Sequence, residues 1–154
     1  MVIKPLTLND CERAAAVMQA AYQAPHVGAK PWSRDNLQSL LKSPSPGFGL
    51  VMNQPTPNAP IAGFLIARQI VDDAELLALA INPSNQRQGL AKKLLAALVN
   101  RLKQEHCDRV FLEVAAENHG AIGLYHTFGF TNTGRRKRYY KNQDALLMTL
   151  DIAD

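Results

Sequence analysis

Between residues 75 and 115 the chain reads strand, glycine-bearing loop, amphipathic helix, strand. No other stretch constrains the fold as tightly. Glu75–Ile81 is short and apolar and is stopped by Asn82-Pro83. From Gly89 to Gln104 the residues Leu90, Leu94, Leu95, Leu98 and Leu102 recur at helical spacing, with Lys92, Lys93, Arg101 and Lys103 mostly on the other side. Arg109–Ala115, RVFLEVA, alternates as a strand does. Strand, helix and strand in this order make a crossover unit. The two strands lie parallel, and the helix covers one face of the sheet with right-handed chirality.

The flanking segments build outward from that unit. Val2–Leu8 reads as a first strand. Asn9, with Glu12 three residues on, predicts a capped helix carrying Ala15, Val17, Met18, Ala21 and Tyr22. Ser33 caps a short helix with Leu37, Leu40 and Leu41 on one face. Phe48–Met52 and Ile61–Ile70 read as strands joined by the proline-rich loop 53–60. A short helix from Gly120 to Phe128, ended by Gly129, precedes strands at Thr131–Tyr140 and Ala145–Ile152. The expectation is one α/β domain spanning 1–154, with a mixed central sheet of about seven strands and helices on both faces. At 47% hydrophobic and 19% charged, 154 residues suffice for one compact core.

Several classes of function drop out. Cys11 and Cys107 lie far apart, with no CxxC or His spacing, and read as idle thiols in a reducing compartment. The four histidines (26, 106, 119, 126) lack metal-ligand spacing, so no metal is expected. No apolar run is long enough to span a bilayer, the N-terminus does not read as a signal peptide, and a cytoplasmic location is expected. The net charge of +4 permits an anionic cofactor but does not demand nucleic acid. The basic run Arg135–Arg138 reads as a solvated loop, and no direct nucleic-acid contact is predicted.

The loop that opens the long helix, NQRQGLAKKLL (85–95), carries the functional question. A helix N-terminus presents unpaired N–H groups and partial positive charge, which suit a phosphate when the preceding loop turns its own N–H groups inward. Gly89 removes the Cβ that would block close approach. Spacing alone leaves open whether Gly89 serves an anion or simply turns a strand into a helix. GxxxxGK[ST], GxGxxG and GxSxG are all absent.

Gln86-Arg87-Gln88-Gly89-Leu90-Ala91 is similar to the [Q/R]xxGx[G/A] acetyl-CoA loop of the GNAT family of N-acetyltransferases. WSRDNL (32–37), AELLALAINPSNQRQGLAKKLL (74–95), LEVAAENHGAIGLYHTFGF (112–130), YY (139–140) and DALLM (144–148) resemble its ribosomal-protein-alanine branch, in order along nearly the whole chain. The resemblance implies a GNAT fold and acetyl-CoA as cosubstrate. The backbone of Leu79, Ala80 and Ile81 would pair with the pantetheine arm, and Arg87, Gln88, Gly89, Leu90, Ala91 and Lys92 would hold the pyrophosphate. Asn118 would contact the cofactor further along. Glu113 matches the family's general base and Tyr125 its general acid. Tyr139 and Tyr140 fall where the last strands border the acceptor groove. Ala78 departs from relatives that often carry a polar residue such as Asn there, which touches the acceptor side rather than the cofactor side.

Taken alone, Tyr125 reads as a core aromatic, and its place beside a thioester comes from the resemblance. Glu113 shares a strand face with Phe111 and Ala115, an apolar setting in which a carboxylate needs partners or a raised pKa. Cys107 lies away from the proposed site, so direct transfer in a ternary complex is favoured over a covalent relay. The expected acceptor is a protein N-terminal α-amine, with a ribosomal protein as partner and the enzyme a monomer or weak dimer. A small amine or a lysine side chain as acceptor is the alternative, as is a CoA-binding, ribosome-associated module without turnover.

Overall fold

The computed structural model describes residues 1–23, 27–44, 46–140 and 143–153, without the side chains of Arg138 and Tyr140. The crossover unit forms as expected. β4 (Asp73–Ile81) runs parallel to β5 (Arg109–Ala115), and α3 (Leu90–Gln104) connects them. Leu90, Leu94, Leu95, Leu98 and Leu102 of α3 are all buried. The remaining strands are β1 (Val2–Pro5), β2 (Phe48–Asn53), β3 (Ile61–Ile70), β6 (Thr131–Tyr140) and β7 (Gln143–Asp151). Together they form one seven-stranded sheet in the order β1-β2-β3-β4-β5-β7-β6, in which β4–β5 is the parallel pair among the described residues.

Helices cover both faces. α3 and α4 (His119–Phe128) pack on one face, around Leu65, Leu76, Leu112 and Met148. On the other, α1 (Cys11–Ala21) and α2 (Arg34–Lys42) enclose Val51, Phe64 and Ile66. Ser33 caps α2 as expected, its side chain accepting from the Asn36 N–H at 3.1 Å.

The entry to α1 differs from the expectation. Asn9 and Glu12 form no capping box. Instead Asp10 accepts both the N–H and the hydroxyl of Thr7, each at 2.9 Å, and holds a 3-10 turn at Leu8–Asp10. The helix proper starts at Cys11, and the Arg13 guanidinium, 2.6 Å away, neutralises the buried Asp10. The β3–β4 connection is a two-residue turn with Ile70 opposite Asp73. Its first residue, Val71, takes φ 57° and is 83% exposed, a conformation a β-branched residue adopts only under strain.

Two irregularities in β4 shape the middle of the sheet. The β3–β4 register slips between Ile66 and Ala67, so Leu77 is the extra residue of a bulge. Ala74 and Leu76 face the α3 side. Beyond the bulge Ala78 and Ala80 face the α1/α2 side, and Leu79 and Ile81 return to the α3 side. The β4–β5 ladder is also short, pairing Asp73–Glu75 with Arg109–Phe111 and going no further. Past that point the two strands separate and leave a wedge between them.

Candidate active site

The wedge opens into a cleft of about 520 Å³, lined from one side by Leu76–Ile81 and from the other by Leu112–Ala115. Residues 79–81 line it from the part of β4 that β5 no longer pairs, which exposes backbone to a strand-like partner. One expected backbone contact already has a partner, because the Tyr22 hydroxyl donates to the Leu79 carbonyl at 3.3 Å. Burial pushes the Tyr22 phenol up to about 12, with that hydrogen bond opposing the shift. Sequence reading placed Tyr22 only on the apolar face of a helix. The clue available was its type, an apolar body with a polar tip that seeks a partner when buried.

The loop before α3 borders the cleft. Asn82 turns the chain by accepting from the Ser84 N–H (3.1 Å) and hydroxyl (2.9 Å), and the Gln86 amide reaches back to the Ile81 carbonyl at 3.3 Å. Arg87 (φ 64°) and Gly89 (φ 75°) both take left-handed conformations around Gln88, an arrangement that lines successive N–H groups along a concave nest. Gly89 is the N-cap of α3, and the first turn carries no acidic residue. A Cβ built on Gly89 would meet no protein atom within 4 Å. The space in front of it is open to a ligand. Arg87, Gly89, Leu90, Ala91 and Lys92 line a side cavity of about 330 Å³ that shares Ile81, Arg87 and Ala91 with the main cleft. Gln88 is exposed and lines neither space, so only its backbone is placed to contribute.

Toward the middle of the cleft stand Glu113, Asn118 and Tyr125. Asn118 caps α4, accepting from the Ala121 N–H at 3.4 Å. Tyr125 is 8% exposed and packs on Phe130 with ring centroids 5.6 Å apart, so it is a core aromatic that also lines the cleft. Glu113 does not sit in the apolar setting its strand suggested. Arg136 Nε lies 3.0 Å from its carboxylate. The basic run lies on β6 rather than in a loop; Arg135, Arg136 and Lys137 are solvent-exposed as expected, and Arg135 also pairs, with Asp144 at 2.6 Å. Tyr139 is 53% exposed on β6, outside the cleft lining, and the side chain of Tyr140 lies outside the described ones. Cys107 is buried in the α3-side core, remote from the cleft, and burial raises its thiol. Among the described residues no cluster of His, Cys, Asp and Glu is placed to hold a metal, and no helix is long and apolar enough to cross a membrane.

Two parallel strands thus part around a cleft that a glycine-bearing loop, a carboxylate and a phenol all border. The family model described as the acetyltransferase (GNAT) family matches residues 14–130, and the chain belongs to that family. Over 155 aligned residues it is 33% identical to ribosomal protein bS18-alanine N-acetyltransferase of Escherichia coli strain K12, covering 98% of this chain and 97% of the relative. The crystal structure of the ribosomal-protein-S18-alanine N-acetyltransferase from Escherichia coli matches with a TM-score of 0.83 at 32% identity, over 99% of this chain and 94% of that one. A chain of the NatC complex bound to Gag peptide and CoA matches at 0.73 and 27% identity, over 97% of each. The chain is thus a GNAT-family N-acetyltransferase whose sequence is similar to ribosomal-protein-alanine N-acetyltransferases.

Proposed function

We propose that this enzyme transfers the acetyl group of acetyl-CoA to the N-terminal α-amine of a protein, with the N-terminal alanine of ribosomal protein bS18 the favoured acceptor. The observation that carries this reading is the cleft and its adjoining side cavity, which bring the loop before α3, the unpaired edge of β4, Glu113 and Tyr125 together. The nest at Arg87–Gly89 and the N-terminus of α3 would hold the pyrophosphate, and the edge of β4 would receive the pantetheine arm. The cosubstrate supplies an activated acyl group. Glu113 accepts the acceptor's proton, directly or through a water, and Tyr125 donates one to the departing thiolate. A phenol with a reference pKa near 10 can do so at small cost, since the conjugate thiol's is about 8.5. Cys11 and Cys107 are both buried and neither lines the cleft, which favours direct attack over a covalent relay.

The acceptor class follows from the same chemistry. A peptide α-amine has a reference pKa near 8, against about 10.4 for lysine, so one carboxylate base suffices for the former near neutral pH. The test is a panel of peptides differing in their first residues, incubated with acetyl-CoA and read by mass spectrometry. Acetylation at the α-amine of the alanine-initiated bS18 sequence, ahead of other N-termini, is expected. A product acetylated only on lysine or only on small amines would overturn the acceptor assignment.

A further inference from the structure

The carboxylate of Glu113 is held from two strands away. Glu113 stands opposite Leu147 of β7, and Arg136 of β6 stands opposite Ala145, so Arg136 reaches back across β7 to make its 3.0 Å contact. The Glu113 side chain is 16% exposed and that of Arg136 is 56% exposed. The anion therefore lies at the cleft wall with its cation on the solvent side. The same guanidinium lies 5.4 Å from the centre of the Tyr139 ring, within cation–π range.

On its other side Glu113 meets a like charge. The parallel ladder pairs Glu75 with Phe111, and Glu113 is the next residue of β5 on that face, a diagonal neighbour within reach of long side chains. Burial raises Glu75 above the usual carboxylate range. Arg68 opposes that shift, Glu113 adds to it, and Arg136 again opposes it. Arg68 stands opposite Glu75 in the β3–β4 ladder. Across β3, β4, β5 and β6 the charges thus run plus, minus, minus, plus, while Lys30 and Arg87 also line the cleft. Two like charges on one strand face repel, and each here has a cation on its outer side.

We infer that Arg136 is a positioning residue for acetyl transfer, holding the Glu113 carboxylate aimed into the cleft. The inference rests on the reading of Glu113 as the base. Arg136 itself makes and breaks no bond. Without it the Glu113 carboxylate loses the contact that fixes its direction, and repulsion from Glu75 on the same face turns it from the cleft.

The test compares Arg136→Ala, Arg136→Lys, Glu113→Gln and the Arg136→Ala/Glu113→Gln double variant, by thiol release with an alanine-initiated, lysine-free peptide. Arg136→Ala should lower kcat about tenfold or more, the scale of misplacing one acid–base group. KM for acetyl-CoA should stay near wild type. Arg136→Lys should recover much of the rate, because it restores the charge. The double variant should be no slower than Glu113→Gln, since Arg136 acts through that carboxylate. In a Glu75→Gln background the Arg136→Ala deficit should shrink. A wild-type kcat in Arg136→Ala, no recovery in Arg136→Lys, or full additivity with Glu113→Gln would each overturn the inference while leaving the base assignment standing. A wild-type kcat in Glu113→Gln overturns the base assignment itself, and the inference with it.

Discussion

Gly89→Ala separates two roles that one glycine can play. Gly89 has φ 75° and ψ 14° as the N-cap of α3, a conformation that costs an L-residue roughly 1–2 kcal/mol. The added methyl meets no protein atom within 4 Å, so that backbone strain is the whole expected penalty in the free enzyme. For a domain of this size it corresponds to a fall in Tm of about 2–8 °C, at roughly 2–4 °C per kcal/mol. CoA at a hundredfold excess over its Kd should stabilise the wild-type protein by about 2.7 kcal/mol through mass action. In the alanine variant the methyl projects into the space where a pyrophosphate would approach the nest, and at the same CoA concentration most of that gain should vanish. Gly89→Val should lose it entirely. The assay is a thermal melt of each protein with and without CoA. A variant whose apo Tm falls but whose CoA-induced shift is unchanged would remove the loop from the cofactor site and reduce Gly89 to a turn residue.

Tyr125→Phe keeps the ring that packs on Phe130 and removes the hydroxyl. In steady-state kinetics it should lower kcat by about 10²-fold with little change in CoA affinity, whereas wild-type turnover would return Tyr125 to the core alone. Val71→Asn relieves a β-branched residue held at φ 57° and should raise the apo Tm by about 2–4 °C, since Asn tolerates this conformation; no gain would mean the turn carries no strain. Tyr22 has its phenol raised to about 12 against about 10 in an unfolded chain, so its contribution to stability is present below about pH 10 and is lost as pH rises toward 12. Denaturant melts of Tyr22→Phe across that window should show a shallower alkaline loss of stability than wild type, and an identical slope would contradict the burial argument.

The crossover unit was legible because periodicity and punctuation agree there. The α3 leucines repeat at helical spacing, Asn82-Pro83 stops β4, and RVFLEVA marks β5 at its observed bounds. The N-terminus of α1 misled because Asn9 offers a plausible cap. The choice between it and the Thr7/Asp10 turn depends on Arg13 neutralising a buried Asp10, a tertiary fact. The split of β4 from β5 could not be read at all, since a bulge at Leu77 leaves no mark in an apolar run such as LLALAI. The residues expected around the cofactor were named from a resemblance, and what sequence could not supply was their electrostatic setting. Glu113 looked apolar in its surroundings because its neighbours along β5 are apolar. Its true neighbours, Glu75 and Arg136, come from other strands.

Acetyl transfer to a protein N-terminus in this cleft is tested most directly by a pair of peptides. One has a free alanine N-terminus and no lysine; the other is N-terminally blocked and carries one internal lysine. Thiol release from acetyl-CoA is followed for both near neutral pH. Rapid, acceptor-dependent release is expected with the first and far slower release with the second, because the two amines differ by roughly 2.4 pKa units, or about 3.3 kcal/mol in the population of neutral amine. Faster turnover of the blocked lysine peptide would contradict the assignment to protein N-termini, and no acceptor-dependent release with either would contradict transfer to a peptide amine altogether.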